Sequence, residues 1–292
     1  MKCKAAFFGM EKLPRLDIDE ETLKELAKDA ASKGLTVAGV QKKLSLHLKE
    51  DSAARLTLVG YPAGYILKPQ ANEYPQLPEV EDLTMDMASA TGIKVVPHGL
   101  IEMEGGSLAY ITKRIDRIDN RKLAMEDFCQ LNGRLTENKY KSSYEQCAKV
   151  ITKYSDRPGL DLAEFFLRLV FCFVTGNSDM HLKNFALIED EDGSGLYSLS
   201  AAYDLLSVNI VNPSDSEQTA LTLCGKKNNL RRDDFLQFAA GISLTPKTAN
   251  AMLKKVISCE EKYYEMIDKS YLSEELKGEY KELIRERIVL IR

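Results

Sequence analysis

The sequence predicts an α+β fold of two lobes, a small sheet-rich lobe over residues 1–115 and a larger, mainly helical lobe over residues 116–292. Three observations predict it. In the first part apolar residues alternate with polar ones, as at Leu44, Leu46 and Leu48, which is the period of a half-buried strand. From Met125 onward they recur at spacings of three and four, the period of a helix with one buried face. The most apolar run, Leu162–Val174, ends in a polar loop, Gly176–Phe185, and a buried helix holds such a loop rigidly.

Each element follows in turn. Residues 1–16 read as a short irregular stretch ended by Pro14. Asp17-Ile18-Asp19-Glu20 supplies carboxylates to a helix start, and Leu23, Leu26, Ala27 and Ala30 carry the helix to Gly34. Leu44–Leu48, Leu56–Val59 and Tyr65–Leu67 read as strands, the last two separated by the turn Gly60-Tyr61-Pro62. A helix runs from Pro78 through Ala90 and stops at Gly92. Val95-Val96 and Leu108–Thr112 read as strands around the Gly105-Gly106 turn. Helical segments follow near 125–132, 142–154 and 161–175, then strands at about 185–189 and 196–200. Helices near 231–240, 246–268 and 273–290 close the chain, the last two with Glu/Lys faces that suit solvent.

Composition excludes several functions. A chain of 292 residues, 44% apolar and 29% charged, buries a large core. A net charge of −4 argues against gripping nucleic acid without a partner. Six scattered cysteines without a C-x-x-C pair suit free thiols in a reducing cytoplasm, and no signal peptide is read at the N-terminus. Leu162–Val174 contains Glu164 and Arg168 and is too short to cross a bilayer. Three histidines without H-E-x-x-H give no zinc site, and without G-x-S-x-G serine hydrolysis has no support. Asp190–Gly195 imitates a calcium loop, but the twelfth position, which needs a bidentate Glu, is Ala201; a solvated hairpin turn fits better. The basic run Lys226–Arg232 reads as a solvated loop, with contact to an acidic substrate or partner as the alternative.

The loop Gly176–Phe185 carries the chemistry. Asp179 and Asn184 stand five apart with His181 and Lys183 between them. Phosphoryl transfer needs an Asp to accept the proton of the attacking hydroxyl and a nearby Asn to hold a Mg2+ against the phosphates. Tyr203-Asp204 offers a second metal-binding carboxylate. An Asp and an Asn also make ordinary turns, but a D-x-H-x-x-N match arises by chance in only about one or two per cent of chains this long. His181, beside a carboxylate suited to the base role, is assigned to orienting the loop. In the front lobe Lys68 needs a negative partner on its apolar strand; a nucleotide phosphate serves, with Glu81 holding the amine and Glu79 in reserve. The turn Ala38-Gly39-Val40-Gln41-Lys42-Lys43 entering the first strand can bring backbone N–H groups close to phosphate oxygens, although one glycine before a strand is also an ordinary turn. These segments have the layout of a protein-kinase-like bilobed enzyme.

Together the ordered segments resemble the HipA family, the kinase toxins of bacterial toxin–antitoxin pairs. Val37–Lys43 is similar to its phosphate loop, and Lys68 falls at its ATP-binding lysine. Lys113-Arg114-Ile115-Asp116-Arg117 resembles its R-F-D-R, which implies an adenine edge at Thr112, Lys113, Arg114 and Ile115. Glu126-Asp127-Phe128-Cys129-Gln130 resembles a frequent signature, Asp179, His181, Lys183 and Asn184 its catalytic loop, and Tyr203-Asp204 its metal-binding segment. The resemblance implies a cytoplasmic serine/threonine protein kinase that uses ATP and Mg2+, with aminoacyl-tRNA synthetases as the substrate type. It also implies autophosphorylation at Thr36 and an antitoxin partner with a helix-turn-helix domain. The family's N-terminal subdomain has no counterpart in this sequence beyond a tail at Met1–Gly9, which implies a separate small protein in its place. A small-molecule kinase and a non-catalytic co-repressor scaffold are the alternatives.

Overall fold

The computed structural model describes residues 7–8, 14–17, 43–49, 55–58, 63–103, 105–118 and 121–292. The chain divides into two compact units, Met1–Asp82 with Val96–Arg117, and Leu83–Val95 with Ile118–Arg292.

The first unit is built on a six-stranded sheet. Its strands are β1 (Arg15–Asp17), β2 (Leu44–Lys49), β3 (Arg55–Leu58), β4 (Tyr65–Pro69), β5 (His98–Glu102) and β6 (Leu108–Lys113). Their order is β1-β3-β2-β4-β6-β5, with β1 parallel to β3 and the other neighbours antiparallel. Alternation puts Leu44, Leu46, Leu56, Tyr65, Leu67, Ala109 and Ile111 into one apolar cluster with Phe8, Ile101 and Met103. A slip of one residue in any strand would turn its share of this cluster outward, so burial fixes the register.

Two front elements differ from the sequence reading. β1 takes in the end of the stretch expected to be irregular and Asp17, which was expected at a helix start; three residues are too few to show a period, and pairing with β3 makes the strand. The strand expected at Val95-Val96 begins instead at His98. Pro97 has no N–H for a ladder, and its carbonyl accepts from the Lys113 amide and the Thr112 hydroxyl. The expected helix after Asp17 and the turn Gly60-Tyr61-Pro62 lie outside the described residues.

Helix α1 (Leu77–Thr91) begins in the first unit and continues into the second. There Thr84 meets the Tyr280 hydroxyl at 2.8 Å and Thr91 the Tyr263 hydroxyl at 2.5 Å. Past two short strands, β7 (Arg117–Ile118) and β8 (Arg121–Lys122), come β9 (Met125–Asp127), α2 (Phe128–Leu131), α3 (Tyr144–Tyr154) and α4 (Pro158–Val174). The hairpin β10 (Ala186–Glu189) and β11 (Tyr197–Leu199) follows, then α5 (Val208–Val211), α6 (Arg232–Gly241), α7 (Pro246–Ile257), α8 (Glu260–Asp268) and α9 (Glu274–Ile291).

Helix α4 is the axis of the second unit, packed by α3, α7 and α9, with Phe165, Phe166, Phe171 and Phe173 fully buried. Pro158 stands in its first turn, where a missing N–H costs nothing. Buried Asp161 accepts from the Ser155 hydroxyl at 2.6 Å and the Leu199 amide at 2.7 Å, tying α4 to β11. Two helices are shorter than their apolar spacing predicts. Met125–Asp127 is a strand against β10, and only Phe128–Leu131 is helical, because the Asp127 carboxylate caps Gln130. The expected helix 246–268 breaks at Ser258, whose hydroxyl donates back to the Lys255 carbonyl.

The acidic stretch Asp190–Gly195 is an exposed turn between β10 and β11, as the sequence suggested. Among the described residues no helix is long and apolar enough to cross a membrane. Cys129, Cys147, Cys172, Cys224 and Cys259 are free thiols. Burial pushes the Cys172 thiol up to about 12 and raises that of Cys147 as well, which disfavours the thiolate at both.

Candidate active site

Helix α4 delivers the loop Gly176–Phe185. Its chain leaves the helix through Gly176 at φ 70°, where a Cβ would lie 2.5 Å from the Leu283 side chain. The positive φ favours glycine here, and a larger residue would also have to displace the end of the Leu283 side chain. Asn177 is buried and its side-chain oxygen accepts the Asp179 amide at 3.1 Å. The Ser178 hydroxyl donates to Asp215 at 2.7 Å. The Asp179 carbonyl then accepts twice, from the His181 amide at 2.8 Å and the Asn184 side-chain amide at 2.9 Å. That second bond closes the loop and couples the two residues singled out in the sequence.

His181 is buried, and its Nδ1 accepts the Lys183 amide at 3.3 Å. In neutral His181 the proton is thereby on Nε2. The Lys183 ammonium is paired with Asp127 at 2.6 Å. Phe185 anchors the end of the loop among Phe128, Tyr144 and Phe165, and its carbonyl accepts the Phe128 amide at 2.9 Å.

Tyr203-Asp204 belongs to the same unit. The Tyr203 hydroxyl donates to the Lys183 carbonyl at 3.0 Å, so the segment is bonded to the residue before Asn184. Asp204 is held at φ 55°, a left-handed conformation that Asp tolerates better than most residues. Arg168, buried in α4, donates to the Ser200 carbonyl at 2.7 Å and fixes the approach to that segment. Burial lowers its pKa and Glu164, at 3.1 Å, opposes the shift. The sequence had shown Arg168 only as a charge that disqualifies a membrane span.

The remaining expected residues lie in the first unit. Lys68 and Glu81 are almost completely buried and form an ion pair, so the carboxylate partner is Glu81 and not Glu79. The Lys68 ammonium also lies 5.2 Å from the centre of the Tyr110 ring, its cross-strand neighbour. The Tyr110 ring stacks on His98, whose Nδ1 meets Asp82 at 2.7 Å. Glu81 and Asp82, adjacent on α1, thus each hold a different strand of the sheet.

In the expected adenine edge, the Lys113 and Arg114 amides are bonded to the Pro97 and Gly64 carbonyls, both at 2.9 Å. Arg114 forks onto Asp116 at 2.9 and 2.8 Å, Arg117 adds a contact at 2.5 Å, and Ile115 is half-buried. Burial raises the Asp116 pKa, and the two guanidiniums outweigh it, leaving the carboxyl below its ordinary range. Lys43 is exposed at the start of β2. Thr36, Ala38, Gly39, Val40, Gln41 and Lys42 lie outside the described residues.

Two participants escaped the sequence reading. Asp127 both caps α2 and pairs with Lys183; it stood in a quoted segment, but its partner is 56 residues away. Tyr140 donates to Asp179 Oδ1 at 2.5 Å and packs edge-on against His181, and nothing local marks it. Among the described residues no group of three or more His, Cys, Asp and Glu side chains could hold a metal ion.

The fold and the loop define a class, an α+β protein-kinase-like fold with a sheet-rich first part and a mainly helical second part. Residues 35–263 match the HipA-like C-terminal domain, and the chain belongs to that family. A Haemophilus influenzae protein named as a candidate kinase is 26% identical over 84% of this chain and 78% of its own length. Two candidate kinases of Sinorhizobium fredii, Y4dM and Y4mE, are 31% and 32% identical over 78% and 72% of this chain. The matched stretch spans only 58% and 52% of those two proteins. Among solved structures, HipA of Shewanella oneidensis, in complex with HipB and operator DNA, superposes with a TM-score of 0.77 at 20% identity, covering 95% of this chain and 72% of that one. The Helicobacter pylori proinflammatory kinase CtkA gives 0.60 at 17% identity, over 85% of this chain and 93% of that one.

Proposed function

We propose that the chain is an ATP- and Mg2+-dependent protein kinase that phosphorylates serine or threonine. One observation carries the reading: the Asn184 amide bonded to the Asp179 carbonyl, which makes a proton acceptor and a metal donor parts of one closed loop. Asp179 accepts the proton of the attacking hydroxyl. Because Asn184 donates through Nδ2, its Oδ1 is a hard oxygen donor, and the Asp204 carboxylate is another. Such a set suits Mg2+, which takes one or two protein oxygens and completes its shell with phosphate and water. Bound MgATP supplies the phosphoryl group and the cation that neutralises its charge. Lys68, oriented by Glu81, and the loop Ala38–Lys43 hold phosphate oxygens. His181 keeps the loop in register through the Lys183 amide, and Lys183 adds positive charge beside it.

HipA of Shewanella oneidensis was solved with HipB and operator DNA, which supports an antitoxin as partner here, and a helix-turn-helix domain on it is part of the proposal. That partner would supply the DNA contact that a chain of net charge −4 lacks. Autophosphorylation of Thr36, next to the phosphate loop, would add nearly two negative charges and compete for the same N–H groups and lysines.

The test is phosphoryl transfer from labelled ATP with Mg2+ and a cell lysate, followed by mapping of phosphosites by mass spectrometry. Label on protein serine or threonine, dependent on Asp179 and Asp204, is expected. Label only on small molecules, or ATP binding without transfer, would replace this reading by one of its two alternatives.

A further inference from the structure

The segment Arg134–Lys141, between α2 and α3, lies against the catalytic loop at three points. The Tyr140 hydroxyl donates to Asp179 Oδ1 at 2.5 Å. The Tyr140 ring meets the His181 ring edge-on, with centroids 4.9 Å apart. The Lys139 carbonyl accepts the Leu182 amide at 3.3 Å. From the start of α3, the buried Tyr144 hydroxyl donates to the Met180 carbonyl at 3.2 Å. Four successive residues of the loop, Asp179 to Leu182, are therefore each touched from this one side.

From this geometry we infer that Tyr140 is a positioning residue for the base, acting through its hydroxyl. The inference rests on the kinase reading of Asp179. A half-buried aspartate such as Asp179 can still rotate about χ1 and χ2, and only a narrow range aims an oxygen at an incoming hydroxyl. A phenol bonded to Oδ1 fixes those torsions and so holds the carboxylate plane in one orientation. The ring cannot swing away freely, because His181 is buried against it and the Lys139 carbonyl pins the chain one residue earlier. The phenol keeps its own proton throughout and takes no part in bond making. Its contribution is geometric and electrostatic, a charge-assisted donor to a carboxylate that must stay ionised.

Three predictions separate this role from plain packing. Tyr140→Phe keeps the ring against His181 and removes only the hydroxyl. Loss of one hydrogen bond to a charged group is expected to lower kcat about tenfold or more. KM for ATP should stay within about twofold, since Tyr140 touches none of the groups assigned to nucleotide. Tyr140→Ala should lower kcat to a similar degree, whereas a packing role predicts a normal Phe variant and an impaired Ala variant. Thermal midpoints of all three proteins identify any variant that is merely misfolded, and the Phe variant is expected to match the parent.

An active parent with a Phe variant of unchanged kcat overturns the assignment while leaving the kinase reading intact. A Phe variant faster than the parent also overturns it, and marks the phenol as a plug in the place of the substrate hydroxyl. A parent that transfers no phosphate to any protein or small acceptor overturns the kinase reading itself and this role with it.

Discussion

The two units hold their functional side chains by opposite means. In the first unit a buried ion pair, Lys68 with Glu81, fixes the lysine on β4 to α1. In the second unit Asp179 sits in a web of several hydrogen bonds, neutral at its carbonyl and amide and charge-assisted at its carboxylate. A buried pair is strong only while both charges are present, because removing one leaves the other without compensation in a poor dielectric. A loop with many modest bonds loses about 1 kcal/mol with each and keeps its shape. Under the proposed function, stability and phosphate binding are therefore coupled in the first unit, whereas fold and rate can be separated in the second.

The largest effect expected from this contrast is on rate alone. Asp179→Asn should lower phosphoryl transfer about a thousandfold, the scale of a general base, while the thermal midpoint moves by only about 2 °C. A variant that unfolds would show that the carboxylate, and not the backbone web, holds the loop.

Next comes an effect on both properties at once. Glu81→Leu leaves the Lys68 ammonium buried without its carboxylate, and a cost of about 3–5 kcal/mol is expected in denaturant unfolding together with loss of ATP binding. Adding Lys68→Met to that variant should restore most of the stability and none of the binding. Were the double variant as unstable as the single one, the pair would be a structural necessity and the contrast between the units would fail.

A third comparison stays inside the second unit. Asp204→Ala removes a charge assigned to the divalent ion, and His181→Ala removes the acceptor of one amide. Calorimetric titration of ATP with and without Mg2+ should show affinity in Mg2+ falling about tenfold or more for the first and about threefold at most for the second. Equal losses would move His181 from orienting the loop to binding the metal.

What could be read from the sequence follows the same division. Alternation at Leu44, Leu46 and Leu48 announced β2, and the apolar run ending at Val174 announced α4, because one buried face imposes a period over many residues. The spacing of Asp179 and Asn184 was legible because both ends of their bond lie on one loop. The choice of Glu81 over Glu79 rested on expectation, and the ion pair distinguishes them. Tyr140 and Asp127 were invisible as site residues because their partners lie 39 and 56 residues away. β1 and the broken helix 246–268 were missed for a related reason. A three-residue strand is made by its neighbour, and the chain turns at Ser258-Cys259 where the apolar spacing would continue the helix. Sequence patterns record faces and local loops, and they do not record which distant side chain completes a site.

The smallest expected effect compares two buried carboxylates, Asp116 in the first unit and Asp234 in the second. In each, burial works against the charge and a basic partner outweighs it, so the folded pKa lies below the ordinary value of 3.8. Asp116 is clamped by two guanidiniums, Arg114 and Arg117. Asp234 accepts from the Arg231 amide and pairs with Lys226, whose side chain is 52% exposed. A depressed carboxylate contributes stability that is fully present above its unfolded pKa and is lost as pH falls through the folded one. Asp116→Asn should therefore lower stability by about 1 kcal/mol at pH 7, and the gap to the parent should close on acidification below 3.8. Asp234→Asn should follow the same course with a smaller loss at pH 7, because an exposed ammonium is screened by water and salt while a half-buried guanidinium fork is not. Urea midpoints of the three proteins at pH 7 and pH 3 decide it. A larger loss at Asp234 would mean that the cap on α6, rather than the ion pair, sets the value of that carboxylate.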